Sequence, residues 1–185
     1  MSIETLDRRS WSEEDARDVA ELLHKVWPRR SKDERLAQLL GEWRDYMGPE
    51  SQSPRSLVVR ESGRTIAHAE ANPRTIGTPL GEMTVLALAR VCTDPAERGR
   101  SLGIEIARAA LRMVDEGVYP FALFQTSHHV RPFYERLGAT VVENRIVNSL
   151  GDDPTKNPFW DDVVMRYPGG EGWPEGDIDL RGGGY

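Results

Sequence analysis

The sequence predicts one domain of the mixed α/β (α+β) class, and three observations carry that reading. Two short runs that read as strands, Leu57 to Arg60 and Thr65 to Ala71, flank the polar, glycine-containing stretch Glu61-Ser62-Gly63-Arg64, the pattern of a β-hairpin. The run Met83 to Thr93 is apolar except for Arg90, and it is followed by a helical pattern and then by another apolar run, giving a strand-helix-strand centre. Two amphipathic segments precede both features, so helices are available to cover a sheet. At 185 residues the chain can bury a full core as one domain, and it contains no repeat or domain linker.

Taken in order, Ser12 followed by Asp15 is a helix-starting pattern, and Val19, Leu22, Leu23, Val26 and Trp27 then recur on one helical face until Pro28. Leu36, Leu39, Leu40, Trp43 and Met47 predict a second helix over 32–47, ended by Gly48-Pro49. After the hairpin, polar Asn72 to Pro79 reads as a connection, and Met83 to Thr93 as the central strand, closed by Asp94-Pro95. Helical spacing returns over 102–116, where Glu105, Arg108, Arg112 and Asp115 leave Ile106, Ala110, Met113 and Val114 for a core; Gly117 stops it. Phe121 to Thr126 reads as a strand and Val130 to Leu137 as a short helix with Pro132 near its start and Gly138 after its end. Ala139 to Val147 and Val163 to Tyr167 supply the last strands.

Composition narrows the function classes. The chain is 38% hydrophobic and 29% charged, with 24 Lys plus Arg against 30 Asp plus Glu and a formal charge of -6, so it carries no broad attraction for nucleic acid or anionic membranes. No apolar run approaches the length of a membrane helix, and Met1-Ser2-Ile3-Glu4 lacks the regions of a secretion signal, so a cytoplasmic location is the expectation. The single cysteine, Cys92, excludes an internal disulfide and a cysteine-based metal cluster. His24, His68, His128 and His129 form no metal spacing with nearby carboxylates, so no metal is expected.

The chemistry-bearing stretch is Asp94-Pro95-Ala96-Glu97-Arg98-Gly99-Arg100-Ser101-Leu102-Gly103, which leads from the central strand into a helix. Backbone amides at such a strand-to-helix turn can bind phosphate with help from the helix start, and Ser101, Arg98 and Arg100 can add contacts. The stretch lacks the lysine and spacing of a nucleoside-triphosphate P-loop and the three glycines of a dinucleotide fingerprint, which excludes kinase, ATPase and Rossmann dehydrogenase readings.

With these residues in place, the sequence resembles the GNAT acyltransferase superfamily, whose coenzyme A loop runs Arg or Gln, two residues, Gly, one residue, Gly or Ala. Arg98, Gly99, Arg100, Ser101, Leu102 and Gly103 fit that loop, with Ser101 standing where the first glycine is usual. Val91-Cys92-Thr93-Asp94-Pro95 looks like the family's central strand and its exit, and Pro132-Phe133-Tyr134-Glu135-Arg136-Leu137-Gly138 like its second characteristic segment. The resemblance implies a GNAT-like, largely antiparallel mixed sheet flanked by helices, covering about residues 12–167. It also implies acetyl-CoA as cosubstrate, bound by Val91, Cys92, Thr93, Arg98, Gly99, Arg100, Ser101, Leu102 and Gly103, and a tyrosine, Tyr134, that protonates the departing thiolate. Ser127 and Val130 depart from the asparagine and alanine common in relatives.

For amine acylation a base or water relay must take the amine proton while a strand amide around Val91 to Thr93 stabilises the carbonyl oxygen. Glu70, read as lying near the end of a neighbouring strand, is the expected side-chain base, with Asp94 and Glu82 behind it; Glu70 is otherwise an exposed carboxylate. Arg90 either recognises a substrate carboxylate or forms a structural ion pair. His128 and His129 read as structural or solvent-facing. The tail 168–185, with Trp173, Ile178 and Leu180 as apolar anchors, resembles a tail of some GNAT proteins; it packs on the domain or contributes to a homodimer edge.

These readings converge on a single GNAT-like domain over 1–185. It is expected to transfer an acetyl group from acetyl-CoA to a primary amine of a small molecule or peptide, by direct attack and without nucleic acid, membrane or metal. An acyl-CoA-binding regulatory domain with weak catalysis is the other reading.

Overall fold

The computed structural model describes residues 2–185; Met1, the first residue of the stretch weighed against a secretion signal, lies outside them. The fold is mixed α/β, with a central, mostly antiparallel sheet flanked by helices. It divides into two compact units, one built from residues 1–72 and 90–112, the other from 73–89 and 113–185. Two long strands, β3 (Arg64–Thr78) and β4 (Gly81–Thr93), contribute to each unit.

In the first unit, β1 (Ile3–Asp7) pairs antiparallel with β2 (Arg55–Glu61), and β2 with the first half of β3. The turn between β2 and β3 places Ser62 and Gly63 at φ 51 and 73, the left-handed pair that a two-residue hairpin requires, which is why a glycine sits there. Helix α1 (Glu13–Val26) begins where expected, the Ser12 side chain accepting from the Asp15 amide. Its Val19, Leu22 and Leu23 pack with Leu39, Val58 and Cys92 in a buried cluster.

Helix α2 (Lys32–Gly41) opens with a full capping box between Ser31 and Glu34. It ends well before Met47, correcting the expected span of 32–47. Glu42 is extended, Trp43 is left-handed at φ 65, and Met47 is exposed rather than a core position. The Glu42 carboxylate turns inward onto two arginines, a long-range demand that the apolar spacing does not encode.

In the second unit, β3 continues through Pro73 to Thr78, so the expected connection over 72–79 is strand instead. Pairing with β2 stops at Ala71, so the amide that Pro73 lacks is not needed by that ladder. Pairing of β4 with β5 (Ala122–Thr126) is parallel and confined to Leu86↔Ala122 and Ala87↔Leu123. β5 then pairs antiparallel with β8 (Val163–Tyr167), and β8 with the two-residue β6 (Thr140–Val141). β7 (Ile146–Val147) and β9 (Ile178–Asp179) add a short parallel pair, with β9 also on β3. Ile178 and Leu180 are fully buried with Ile76, Val85, Leu123 and Ile146, so the tail is part of this core, and Trp173 packs against Phe121.

Helix α3 (Leu102–Asp115) buries Leu102, Ile106, Ala107, Ala110 and Leu111. Helix α4 (Arg131–Glu135) is a single short turn beginning around Pro132. No helix is long and apolar enough to cross a membrane among the described residues.

Candidate functional site

The exit from β4 is built around Asp94, by one local and one long-range hydrogen bond. Asp94 accepts from the Ala96 amide, 2.9 Å away, and its other oxygen takes Lys25 Nζ at 2.7 Å, fixing the 3-10 turn Pro95–Glu97 that follows the strand. Those bonds hold the Asp94 carboxyl below the usual range, so it serves as an anchor for the loop.

Past that turn the chain takes up two left-handed residues, Gly99 at φ 83 and Ser101 at φ 60, and then enters α3. The serine at the usual glycine position therefore adopts the conformation a glycine would, at a cost of about 1–2 kcal/mol for a residue bearing a Cβ. At Gly99 the space a Cβ would occupy is open. Arg98, Gly99, Arg100 and Ser101 are exposed, Leu102 is buried and anchors the helix start, and Gly103 is half-buried. A backbone turn with two left-handed residues at a helix N-terminus, flanked by the exposed Arg98, has the residue types to bind an anion such as a diphosphate. Arg100 is engaged by Glu97 at 2.6 Å and by Glu61, so it braces the loop.

On β4 itself Cys92 is buried and its thiol is pushed up by burial, as expected of a packing residue; Val91 and Thr93 are half-buried. Arg90 is left-handed, φ 49, inside an otherwise extended strand, the signature of a bulge.

Around Arg90 lies a charge cluster that the sequence did not disclose as a whole. Arg90 forks onto Glu42 through two 2.8 Å bonds and reaches Glu70 Oε1 at 2.6 Å. Arg8, entirely buried, donates to Glu42 Oε2 at 2.8 Å and to the Leu39 carbonyl at 3.3 Å. Arg8 Nη1 also lies 2.7 Å from Glu70 Oε1, a charge contact without hydrogen-bond geometry. The Arg8 guanidinium stacks 4.7 Å from the Trp11 ring centroid. Two cations thus meet two anions, which is what permits their burial.

Glu70 differs from the expectation in two respects. It lies within β3, which runs on to Thr78, rather than near its end, and it is 1% exposed. Burial pushes its carboxyl up, but Arg90 and Arg8 outweigh that and hold it at about 2. An anion held so firmly is a weak proton acceptor and a strong electrostatic anchor. Of the other acids weighed, Glu82 is exposed and pairs with Arg181. For Arg90, the observed partners are those of an ion pair.

His68, Glu70 and Asn72 occupy alternate positions on one face of β3 and are all buried, at 0, 1 and 5% exposure, a polar row inside a strand. Asn72 donates to Glu70 at 3.1 Å. His68 Nδ1 is 3.0 Å from the Arg90 carbonyl, and its Nε2 is 2.6 Å from Ser56 Oγ. Desolvation pulls the imidazole down to about 4. The signal that could have found this group is the period-two row of polar residues beside an arginine in an apolar strand.

In the second unit, Tyr134 sits on α4, 6% exposed, its ring 4.6 Å from that of Phe124 and 4.8 Å from that of Phe133. Its carbonyl accepts from the Leu137 and Ala139 amides, which fixes the end of the short helix. His128 and His129 are exposed in the turn before α4. Among the described residues no group of three or more His, Cys, Asp or Glu is arranged to hold a metal.

Comparison with known proteins assigns the class. Residues 7–142 match the profile described as an acetyltransferase (GNAT) domain, and the chain belongs to that family. No curated protein matches the sequence. Among solved structures it is similar to a GCN5-related N-acetyltransferase from Kribbella flavida, with TM-score 0.57, 17% identity and 76% of this chain covered. The chain spans about a third of that protein, 33% of its length. An acyl-CoA N-acyltransferase from Pseudomonas aeruginosa aligns with TM-score 0.58 and 16% identity, over 89% of this chain and 97% of the other. A GNAT-family acetyltransferase from Staphylococcus aureus aligns with TM-score 0.60 and 11% identity, over 89% and 98%. At these identities the likeness is one of fold.

Two outcomes follow from the site's electrostatics and strain. Glu70→Gln leaves the buried Arg8 and the half-buried Arg90 facing one carboxylate and should cost about 3–5 kcal/mol in urea unfolding. In the wild type the unfolded chain binds more protons than the folded one as pH falls, first at His68, between about 6.5 and 4, then at Glu70, between about 4.3 and 2. Stability should therefore decline through both windows, and the lower decline should be smaller in Glu70→Gln, the other carboxyls held low, Glu42 and Asp94 among them, supplying what remains. Ser101→Gly relieves the left-handed strain and should raise stability by about 0.5–1 kcal/mol, read as a shift of the unfolding midpoint.

Proposed function

We propose that the protein is an acyl-CoA-dependent N-acyltransferase that moves an acetyl group from acetyl-CoA to a primary amine by direct attack. The observation that carries this reading is the turn Arg98 to Gly103: it follows the bulged strand β4, holds two left-handed residues and opens α3, in a chain of the GNAT family.

Acetyl-CoA supplies the activated acyl thioester. The amides of Gly99 to Gly103 and the Arg98 guanidinium bind its diphosphate, their partial and full positive charges facing the phosphate oxygens. The segment Val91 to Thr93 lines the acyl-bearing arm and presents an amide to the carbonyl oxygen as its charge grows during attack. Tyr134 donates its phenolic proton to the departing sulfur; a thiolate is basic enough to take it.

Glu70 does not serve as the base in this account. Its charge is spent on Arg8 and Arg90, and the amine proton leaves through water. The protein is proposed to work as one GNAT-like unit over 1–185, in the cytoplasm, on a small-molecule or peptide amine, without nucleic acid, membrane or metal.

Incubation of the protein with acetyl-CoA and a panel of primary amines should yield acylated amine and free thiol. Tyr134→Phe should lower kcat by about 100-fold, the scale of a lost general acid, while the acetyl-CoA Kd stays unchanged. Tight acetyl-CoA binding without product across the panel would instead favour a regulatory acyl-CoA-binding domain.

A further inference from the structure

Arg90 presents a problem of backbone energy. A non-glycine residue with a positive φ inside a strand persists only when its surroundings over-determine it. The side chain supplies part of that constraint, through its bonds to Glu42 and Glu70. The main chain has its own holder.

The Arg90 carbonyl can only accept, so the 3.0 Å contact requires the His68 Nδ1 to carry the proton. Nε2 is then a bare acceptor, and the Ser56 hydroxyl donates to it across 2.6 Å. Ser56 and His68 are fully buried on neighbouring strands, Ser56 being registered with Glu70 and Val58 with His68. A directed chain therefore runs from the Ser56 hydroxyl through the imidazole to the Arg90 carbonyl, with one tautomer throughout. Because the imidazole stays neutral, the chain keeps its polarity over the ordinary working range.

The geometry points to His68 as a positioning residue for acyl transfer: polarised by Ser56, it clamps the Arg90 carbonyl in the bulge and so sets the direction of the Val91, Cys92 and Thr93 amides that follow. This rests on the acyl-CoA reading of that segment. His68 touches no reacting atom; it acts through Arg90, in the way that outer hydrogen bonds orient the groups doing chemistry.

The test combines a spectroscopic signature with a kinetic rescue. The 15N shifts of the His68 ring in the wild type should report the neutral Nδ1–H tautomer. His68→Leu, verified as folded by circular dichroism, should lose about 10- to 100-fold in kcat/KM for acetyl-CoA, the scale of a misaimed contact. His68→Asn, which retains a donor near the Nδ1 position, should recover most of that loss. The Nε2–H tautomer, or a folded His68→Leu with wild-type kcat/KM, would overturn the proposal. If the wild type neither binds nor turns over acetyl-CoA, the acyl-CoA reading has failed on its own. The clamp is then judged by amide hydrogen exchange at Val91 to Thr93, which should accelerate in His68→Leu and would remain unchanged if the clamp were absent. Should His68→Leu not fold, the wild-type tautomer decides the question alone.

Discussion

The meeting of Arg8 and Glu70, both buried, with the half-buried Glu42 and Arg90 is the constraint from which much of the first unit follows. Each group comes from a different part of the chain: Arg8 from just after β1, Glu42 from the end of α2, Glu70 from β3 and Arg90 from β4. Removing any one leaves the buried Arg8 or Glu70 short of a partner, so the four segments are bound to one arrangement. The early end of α2 follows from the inward turn of Glu42. The left-handed turn at Arg90 follows from the need to reach two carboxylates while its carbonyl is held by His68.

That same constraint separates the roles of the candidate residues. Glu70 has the residue type of a general base but the environment of a counter-ion, its carboxyl at about 2 being the measure of the difference. Arg100 resembles a phosphate ligand by sequence yet is occupied by Glu61 and Glu97, whereas Arg98 keeps an exposed charge at the same turn. Residue type proposes a role, and partners decide it.

Much of the scaffold was legible in the sequence because its signals are local. Ser12 and Ser31 cap their helices, Gly63 marks its hairpin, and the apolar spacing of α1 and α3 matches the buried faces. The strand-to-helix turn at 94–103 was also local, down to the question that Ser101 raised about its backbone angle. What escaped was non-local. β1 and β9 are short strands that form only because a partner strand is present, at five and two residues respectively. β3 runs past its expected end as the sheet neighbour of β4, and a distant tail strand pairs with it at Gly77. The charge cluster escaped for the same reason: Arg8, Glu42, Glu70 and Arg90 are neighbours only in the fold, although the alternating row His68, Glu70, Asn72 carried a partial trace of it.

In the proposed function, the held strand β4 and its exit turn form one binding surface for acyl-CoA. The most direct measurement is a titration of the 15N-labelled protein with acetyl-CoA, following assigned backbone amides. The account predicts saturable shifts at Val91 to Thr93 and at Arg98 to Gly103, with a common dissociation constant. Saturable binding that leaves both stretches unmoved would contradict it.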